Sequence, residues 1–471
     1  MGFGAFRFDL VRPTTTFRYN TGFAYGSNDG AVWAGRGLTS AVQLGFLARL
    51  GPVSLTAAPI AFRAENTYFY IQPTARTGPQ FFANALFPVD QPQRFGDSPY
   101  SQIDPGQSTI RIDLPGLALG ASTANMGWGP GFDYPLLLGS NAAGFPHLFA
   151  GTSAPLNLYL AKLHAKVFWG TLTQSEFSTV TGPSTYISRL EPGRKRFATG
   201  IVMIAEPRGI PGLEVGGARF FHSIWPRSGI PRSYFTKVFQ VFLKENLDVP
   251  QATDPRFPQE DTERGLADNQ LVEVFARWVL PGSRFEVSAE YGRDDHSEDK
   301  RDLLQEPDHA RFYNLGLRKV FAIDAKSMTA GRFELISLQR SSLDRVRGQG
   351  KVYSHGLIRQ GHTQRGQLLG ADVGVGAGAG STVAVDRYTP NGRLTISWVR
   401  NLRQERGEYD STSVEVPRSI DVTHALGAEM MRTVGRFDVT TGLTFVRDFN
   451  RVFVADASNV NATLGIRYNL R

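Results

Sequence analysis

Apolar residues alternate with charged or small ones at period two along this chain, and no other feature constrains its fold as much. Phe285, Val287, Ala289 and Tyr291 alternate with Arg284, Glu286, Ser288 and Glu290. Leu394, Ile396 and Trp398 alternate with Arg393, Thr395 and Ser397, and Phe437, Val439, Thr441, Leu443 and Phe445 with Asp438, Thr440, Gly442 and Thr444. The C-terminus sets Val460, Ala462, Leu464, Ile466, Tyr468 and Leu470 against Asn461, Thr463, Gly465, Arg467 and Asn469. Such segments read as strands with one apolar face. Ionised Arg and Glu recurring on the other face suit a wet lumen rather than a dry sandwich core. No run of about 18 apolar residues exists, which excludes a membrane-spanning helix. A membrane barrel needs no such run, because its strands alternate lipid-facing and lumen-facing residues.

The connections alternate in length. Tight ones fall at Leu50-Gly51-Pro52, Pro115-Gly116, 207–212, Pro281-Gly282, Pro390-Asn391-Gly392 and Val434-Gly435. Proline presets φ for a turn, and Asn-Gly tolerates the positive φ of hairpins. Long polar stretches lie between them at 65–107, 247–269, 294–309 and 401–418. Short turns on one side and long loops on the other are the outer-membrane pattern. Strands are expected near 17–27, 40–49, 53–64, 108–114, 117–124, 156–164, 169–176, 196–206, 212–221, 270–280, 284–293, 309–322, 329–340, 381–388, 393–401, 418–432, 435–447 and 458–470. The fold class is therefore all-β: a transmembrane antiparallel β-barrel of about 18 strands, with both ends on the short-turn side. No linker-like stretch divides the 471 residues, so 1–471 reads as a single domain. The Gly/Ala-rich stretch 370–380 is either a mobile loop or a place where backbone packs closely inside the barrel.

The net charge of +8 comes from 51 basic and 43 acidic residues spread along the chain. No block of clustered Lys or Arg occurs, so solvated loops and a charged lumen explain the charge better than a nucleic-acid footprint. The absence of Cys removes disulfides, thiolate metal sites and a Cys nucleophile. The eight histidines lack zinc spacing, and there is no GxSxG elbow or P-loop. Asp294-Asp295 and the acids of 254–268 read as charged loops. No catalysis, metal or cofactor is expected. Met1 to Phe17 has no signal-peptide pattern. Since export of a barrel requires one, the chain is expected to be truncated or started too late.

Three segments resemble the capsule-assembly (Wzi-type) family of outer-membrane proteins. The strongest is Gly127-Trp128-Gly129-Pro130-Gly131 followed by 136–146 (LLLGSNAAGFP). The second is Asp268-Asn269-Gln270-Leu271, an aromatic-rich strand, Pro281-Gly282, then 290–295 (EYGRDD). The third runs from Arg359-Gln360-Gly361-His362 through Leu368-Leu369-Gly370-Ala371-Asp372. The resemblance covers roughly residues 40 to 471. It departs from the family at Met126-Gly127, where relatives often carry a second aromatic. The periplasmic helical segment that usually precedes the barrel in the family is expected to be missing. It implies a barrel that binds surface polysaccharide like a lectin and helps organise the capsule, without catalysis.

Trp128 either stacks on a sugar face or anchors its loop. Asp133 and Asn141, flanking the same loop, either hydrogen-bond hydroxyls or make turns. Arg359, Gln360, His362 and Arg365 either contact an acidic glycan or form a solvated loop. Lys162 and His164 should face the lumen. The expected partners are capsular or other surface polysaccharide, with membrane lipid and lipopolysaccharide around a monomeric barrel. The alternative is a porin-like channel or transporter for small polar solutes, since a barrel near eighteen strands is wide enough for an aqueous path unless something fills it.

Overall fold

A computed structural model describes residues 6–87, 89–178, 195–225, 229–239, 268–294, 300–341, 344, 346–355, 358–376, 378–405 and 420–470. Eighteen antiparallel strands close into a barrel. In chain order they are β1 (Arg7–Asn20), β2 (Gly37–Leu50), β3 (Val53–Ala57 and Ile60–Ala64), β4 (Tyr100–Asp104 and Thr109–Leu114), β5 (Leu117–Ser122), β6 (His147–Gly151 and Leu156–Asn157), β7 (Ala161–Thr173), β8 (Lys195–Pro207) and β9 (Leu213–Ile224). There follow β10 (Asp268–Leu280), β11 (Phe285–Asp294), β12 (Arg311–Ile323), β13 (Met328–Ser337), β14 (Ala379–Thr389), β15 (Gly392–Glu405), β16 (Ile420–Val434), β17 (Phe437–Arg451) and β18 (Ala455–Tyr468). The ring closes where β1 pairs β18, with Thr14 opposite Arg467 and Asn20 opposite Asn461. A closed sheet leaves no unpaired edge in lipid. Outward positions carry exposed Leu315, Leu317, Val383, Val385, Leu394, Ile396, Leu426 and Leu443, a lipid-facing belt. Arg7 lies opposite Arg49 and Tyr468 opposite Phe437, so both ends of the barrel lie at short turns. The chain is an outer-membrane β-barrel.

The strand number matches the expectation, but three placements move. The first strand is Arg7–Asn20, not 17–27. Pro13 and Thr14-Thr15-Thr16 obscure its alternation, and the register shifts between Val11 and Thr14. The strands expected at 156–164 and 169–176 are β6 and β7, because Leu158-Tyr159-Leu160 is the turn between them, with Tyr159 94% exposed. Both β3 and β4 break at one height. Pro59 has no N–H to give the ladder. Gly106 adopts φ +59° beside Ala58, where a Cβ would come within 2.3 Å of the Ala58 carbonyl oxygen.

The larger correction concerns the lumen. The described residues of segments 65–99, 123–146 and 338–378 fold inward from the long-loop side and fill much of it with a dry core. Trp128, Leu136, Leu137, Leu138, Phe145, Tyr353, Leu368 and Val373 pack there on inward-facing Phe168, Phe220, Leu271 and Phe312. The wet lumen inferred from alternating charges holds only where this dry core does not reach. Alternation reveals which face is inward but not what fills the inside. Within 370–380, close packing is the outcome: a Cβ on Gly370 would lie 2.4 Å from the Leu136 carbonyl oxygen. Asp254, Glu260, Asp261, Glu263, Asp295 and His296, with 406–418 of the long loops, lie outside the described residues.

Candidate functional site

The tryptophan segment is clamped by carboxylates of the wall. Glu334 on β13 accepts the backbone N–H groups of Phe132 (3.1 Å), Asp133 (2.9 Å) and Tyr134 (3.0 Å), and the Asn314 amide at 2.7 Å. Glu290 on β11 accepts the Gly131 N–H. Gly129 has φ +76°, and a Cβ there would sit 2.7 Å from Glu290 Oε1. The glycines thus let backbone approach the wall. Trp128 is 3% exposed and packs on Phe168, ring centroids 5.6 Å apart. A Cβ on Gly200 would lie 2.6 Å from the Trp128 ring. Gly200→Ala is expected to overpack this contact and destabilise the protein by about 1–3 kcal/mol. Thermal unfolding followed by near-ultraviolet circular dichroism would check it, and an unchanged midpoint would disprove it. Burial pushes the Asp133 carboxyl up to about 6, against the pull of Arg332, whose Nε is 3.6 Å away.

The third motif is held in the same manner. The fully buried Arg196 of β8 donates to the carbonyl oxygens of Gly361 and Thr363, the latter at 2.6 Å. Gln360 donates to the Gln174 side chain (2.9 Å), and Arg365 pairs with Asp104 at 2.5 Å. His362 contacts the Leu137 carbonyl oxygen at 2.6 Å and stacks on Tyr353, 5.4 Å between centroids. Arg359 stays partly exposed. Asn141 is buried and donates to the Leu368 carbonyl (2.9 Å), tying segment 123–146 to 338–378. Lys162 faces the lumen and pairs with Glu206 at 3.2 Å, and His164 contacts the Thr152 hydroxyl at 2.6 Å. The structure thus gathers Trp128, Asp133, Asn141, Gln360, His362 and Arg365 within the infolded segments and their attachments to the wall.

A polar chamber lies beside this plug, against the long-loop ends of β15, β16 and β17. Its cavity volume is about 180 Å³, and it is lined by Tyr25, Asp29, Trp33, Gln72, Asn84, Gln91, Gln93, Asn141, Asp372, Arg403, Asp421, Asp448 and Arg451, among others. Gln91 donates to Asp372 (3.0 Å), and Gln93 exchanges hydrogen bonds with the Gln72 backbone at 2.8 and 2.9 Å. Arg451 lies 3.6 Å from Asp448 and over the Phe23 ring at 4.4 Å. Trp33 is braced by Phe95, centroids 5.1 Å apart. Amides supply donors and acceptors, carboxylates acceptors and guanidiniums donors. Such a lining can satisfy a hydroxyl-rich ligand, with an aromatic ring at its side. Of the candidate site residues read from sequence, only Asn141 lines this chamber, joined by Leu368 and Asp372 of the third motif. The rest come from six separate stretches of chain.

No family model matches the chain, and no curated protein matches it. Solved structures do. Over 97% of its length, and 85% of the other chain's, this protein is similar to Wzi of Escherichia coli, with 13% identity and a TM-score of 0.61. The fold is of the Wzi type. Wzi is described as an outer-membrane protein involved in group 1 capsule assembly and a carbohydrate-binding β-barrel. A BenF-like porin from Pseudomonas fluorescens Pf-5 is 10% identical, with 98% and 99% of the two chains covered and a TM-score of 0.44. OpdQ from Pseudomonas aeruginosa is 8% identical, with 98% and 97% covered and a TM-score of 0.43. These two are more distant barrels, and no functional argument rests on them.

Proposed function

We propose that this barrel binds a surface polysaccharide at its outer mouth and holds or organises it at the cell surface. The chamber beside the plug carries this reading. Its mixed lining of amides, carboxylates, guanidiniums and Trp33 suits a hydroxyl-rich sugar unit better than an apolar ligand. The description of Wzi as carbohydrate-binding supports the same chemistry. Asn141, Gln91, Asp372 and Trp33 are assigned to sugar contact. Trp128, Asp133, Gln360, His362 and Arg365 are assigned to holding the plug that forms one side of the chamber. Arg359 is retained as an outer contact for acidic groups of the glycan.

The test is saturable binding of surface polysaccharide from the host to the detergent-solubilised barrel, measured by calorimetry. Asp372→Ala and Trp33→Ala are each expected to weaken binding about tenfold, the effect of one lost charge-assisted hydrogen bond or one lost ring contact. Arg359→Ala is expected to matter only for an acidic glycan. No binding by the intact barrel, or chamber variants that bind as well as the parent, would refute the reading.

A further inference from the structure

The chamber has a counterpart on the other side of segment 21–36. This second cavity has a volume of about 720 Å³ and reaches toward the short-turn ends of β14 to β18. Seven threonines line it, together with the charged side chains of Arg18, Asp29, Arg393, Glu429, Asp438 and Arg467. Asp29, Val32 and Ala34 line both cavities. There the partition between the outer and inner spaces is a single thickness of chain. The dry plug core packs on inward residues between β6 and β13, so the two cavities follow a different part of the wall.

Segment 21–36 is fastened in two ways. Near its ends, the buried Asn20 amide donates to the carbonyls of Tyr25, Ala34 and Gly35 at 3.1–3.2 Å, while its oxygen accepts from Asn459 (3.0 Å) and Asn461 (2.8 Å). In the middle, both Arg18 guanidinium nitrogens meet the Asp29 carboxylate, one of them at 2.9 Å. Asn28 donates to the Asp133 carbonyl (2.9 Å) and the Gly30 N–H to the Ser140 carbonyl (2.6 Å). Gly26 makes room for the ion pair, because a Cβ there would lie 2.3 Å from Arg18. The side chains of the pair are each 25% exposed. The ends are thus anchored in a buried amide cluster, while the middle is held by polar contacts that water can replace.

We propose that the barrel also carries a permeation path for small hydrated solutes, running along β1, β2 and β15 to β18, with residues 27–32 as its closing element and Arg18–Asp29 as the latch. Breaking the latch frees the middle of the segment to swing while Asn20 keeps its ends in place. The outer chamber then joins the threonine-lined space. Threonine hydroxyls beside charges of both signs suit small polar solutes.

Single-barrel conductance in planar bilayers tests this. The parent barrel is expected to stay closed for most of the record. Asp29→Ala, and Asp29→Asn, which keeps the side-chain size, are expected to raise the open fraction about tenfold. The exchanged pair Arg18→Asp/Asp29→Arg is expected to restore closure. Since the chain has no Cys, an oxidised Asn28→Cys/Ser140→Cys bridge in the Asp29→Ala background should abolish the current, and reductant should return it. Heat-modifiable migration of each variant in gels verifies that it is folded. Folded Asp29 variants as closed as the parent, a parent as conductive as they are, or a current that survives the bridge would each overturn the path. Glycan binding is measured separately on the parent barrel, so failure of the permeation path and failure of the glycan reading are distinguished.

Discussion

Glu334→Ala is expected to release the tryptophan segment from the barrel wall while leaving the wall itself intact. Three backbone N–H groups, those of Phe132, Asp133 and Tyr134, converge on this one carboxylate, and Asn314 adds a fourth donor. Glu334 is 5% exposed, so water does not simply take over its role. Each buried donor left without an acceptor costs about 1–3 kcal/mol, which places the loss of plug docking at roughly 3–6 kcal/mol. The strand ladder does not depend on this side chain, so the barrel should keep its heat-modifiable migration. The 123–146 segment should lose hydrogen-exchange protection and become sensitive to protease. Glu334→Gln keeps one acceptor oxygen and should fall between the two. Unchanged protection in the alanine variant would mean that the segment is held by its leucines alone.

Those contacts mark the limit of what sequence reading reaches. The wall was legible because charged residues recur at period two between aliphatic ones, and because Pro-Gly and Asn-Gly turns punctuate one side only. That pattern places Glu290 and Glu334 on the inner face. It does not reveal that their partners are main-chain N–H groups some 160 to 200 residues away. The plug left one visible trace. Leu136-Leu137-Leu138 is a run of three leucines in what reads as an outer loop, and such a run is an error in a solvated loop unless something covers it. Trp128 shows the same limit. A Trp-Gly-Pro-Gly turn fits a sugar platform and a loop anchor equally well in sequence. The glycine opposite it, Gly200, lies on a different strand and is what opens space for the ring. The chamber was out of reach because Trp33, Gln91, Asp372, Asp421 and Asp448 lie on separate segments that only the closed barrel brings together.

The plug should also loosen in acid, and His362 is the group that makes it do so. Burial, reinforced by the nearby Arg196 guanidinium and opposed by the Leu137 carbonyl, pulls this imidazole down to about 4 from its usual value near 6.5. The docked plug therefore keeps His362 neutral, whereas the released segment takes up a proton at ordinary acidity. Between about pH 6.5 and 4 the released state binds more protons, so docking weakens as pH falls through this window and levels off below it. A shift of this size corresponds to about 3 kcal/mol. Asp133 has the opposite slope: raised to about 6 by burial, it is strained when ionised at neutral pH and relieved on acidification. The two are separated by comparing the parent with His362→Gln, which removes one titration and leaves the other. Hydrogen exchange in segments 338–378 and 123–146 would be measured at pH 7 and pH 4.5. Acid should deprotect the parent more than the glutamine variant, whose remaining response should run toward greater protection. Equal responses in the two proteins would mean that His362 accepts its proton without leaving the plug.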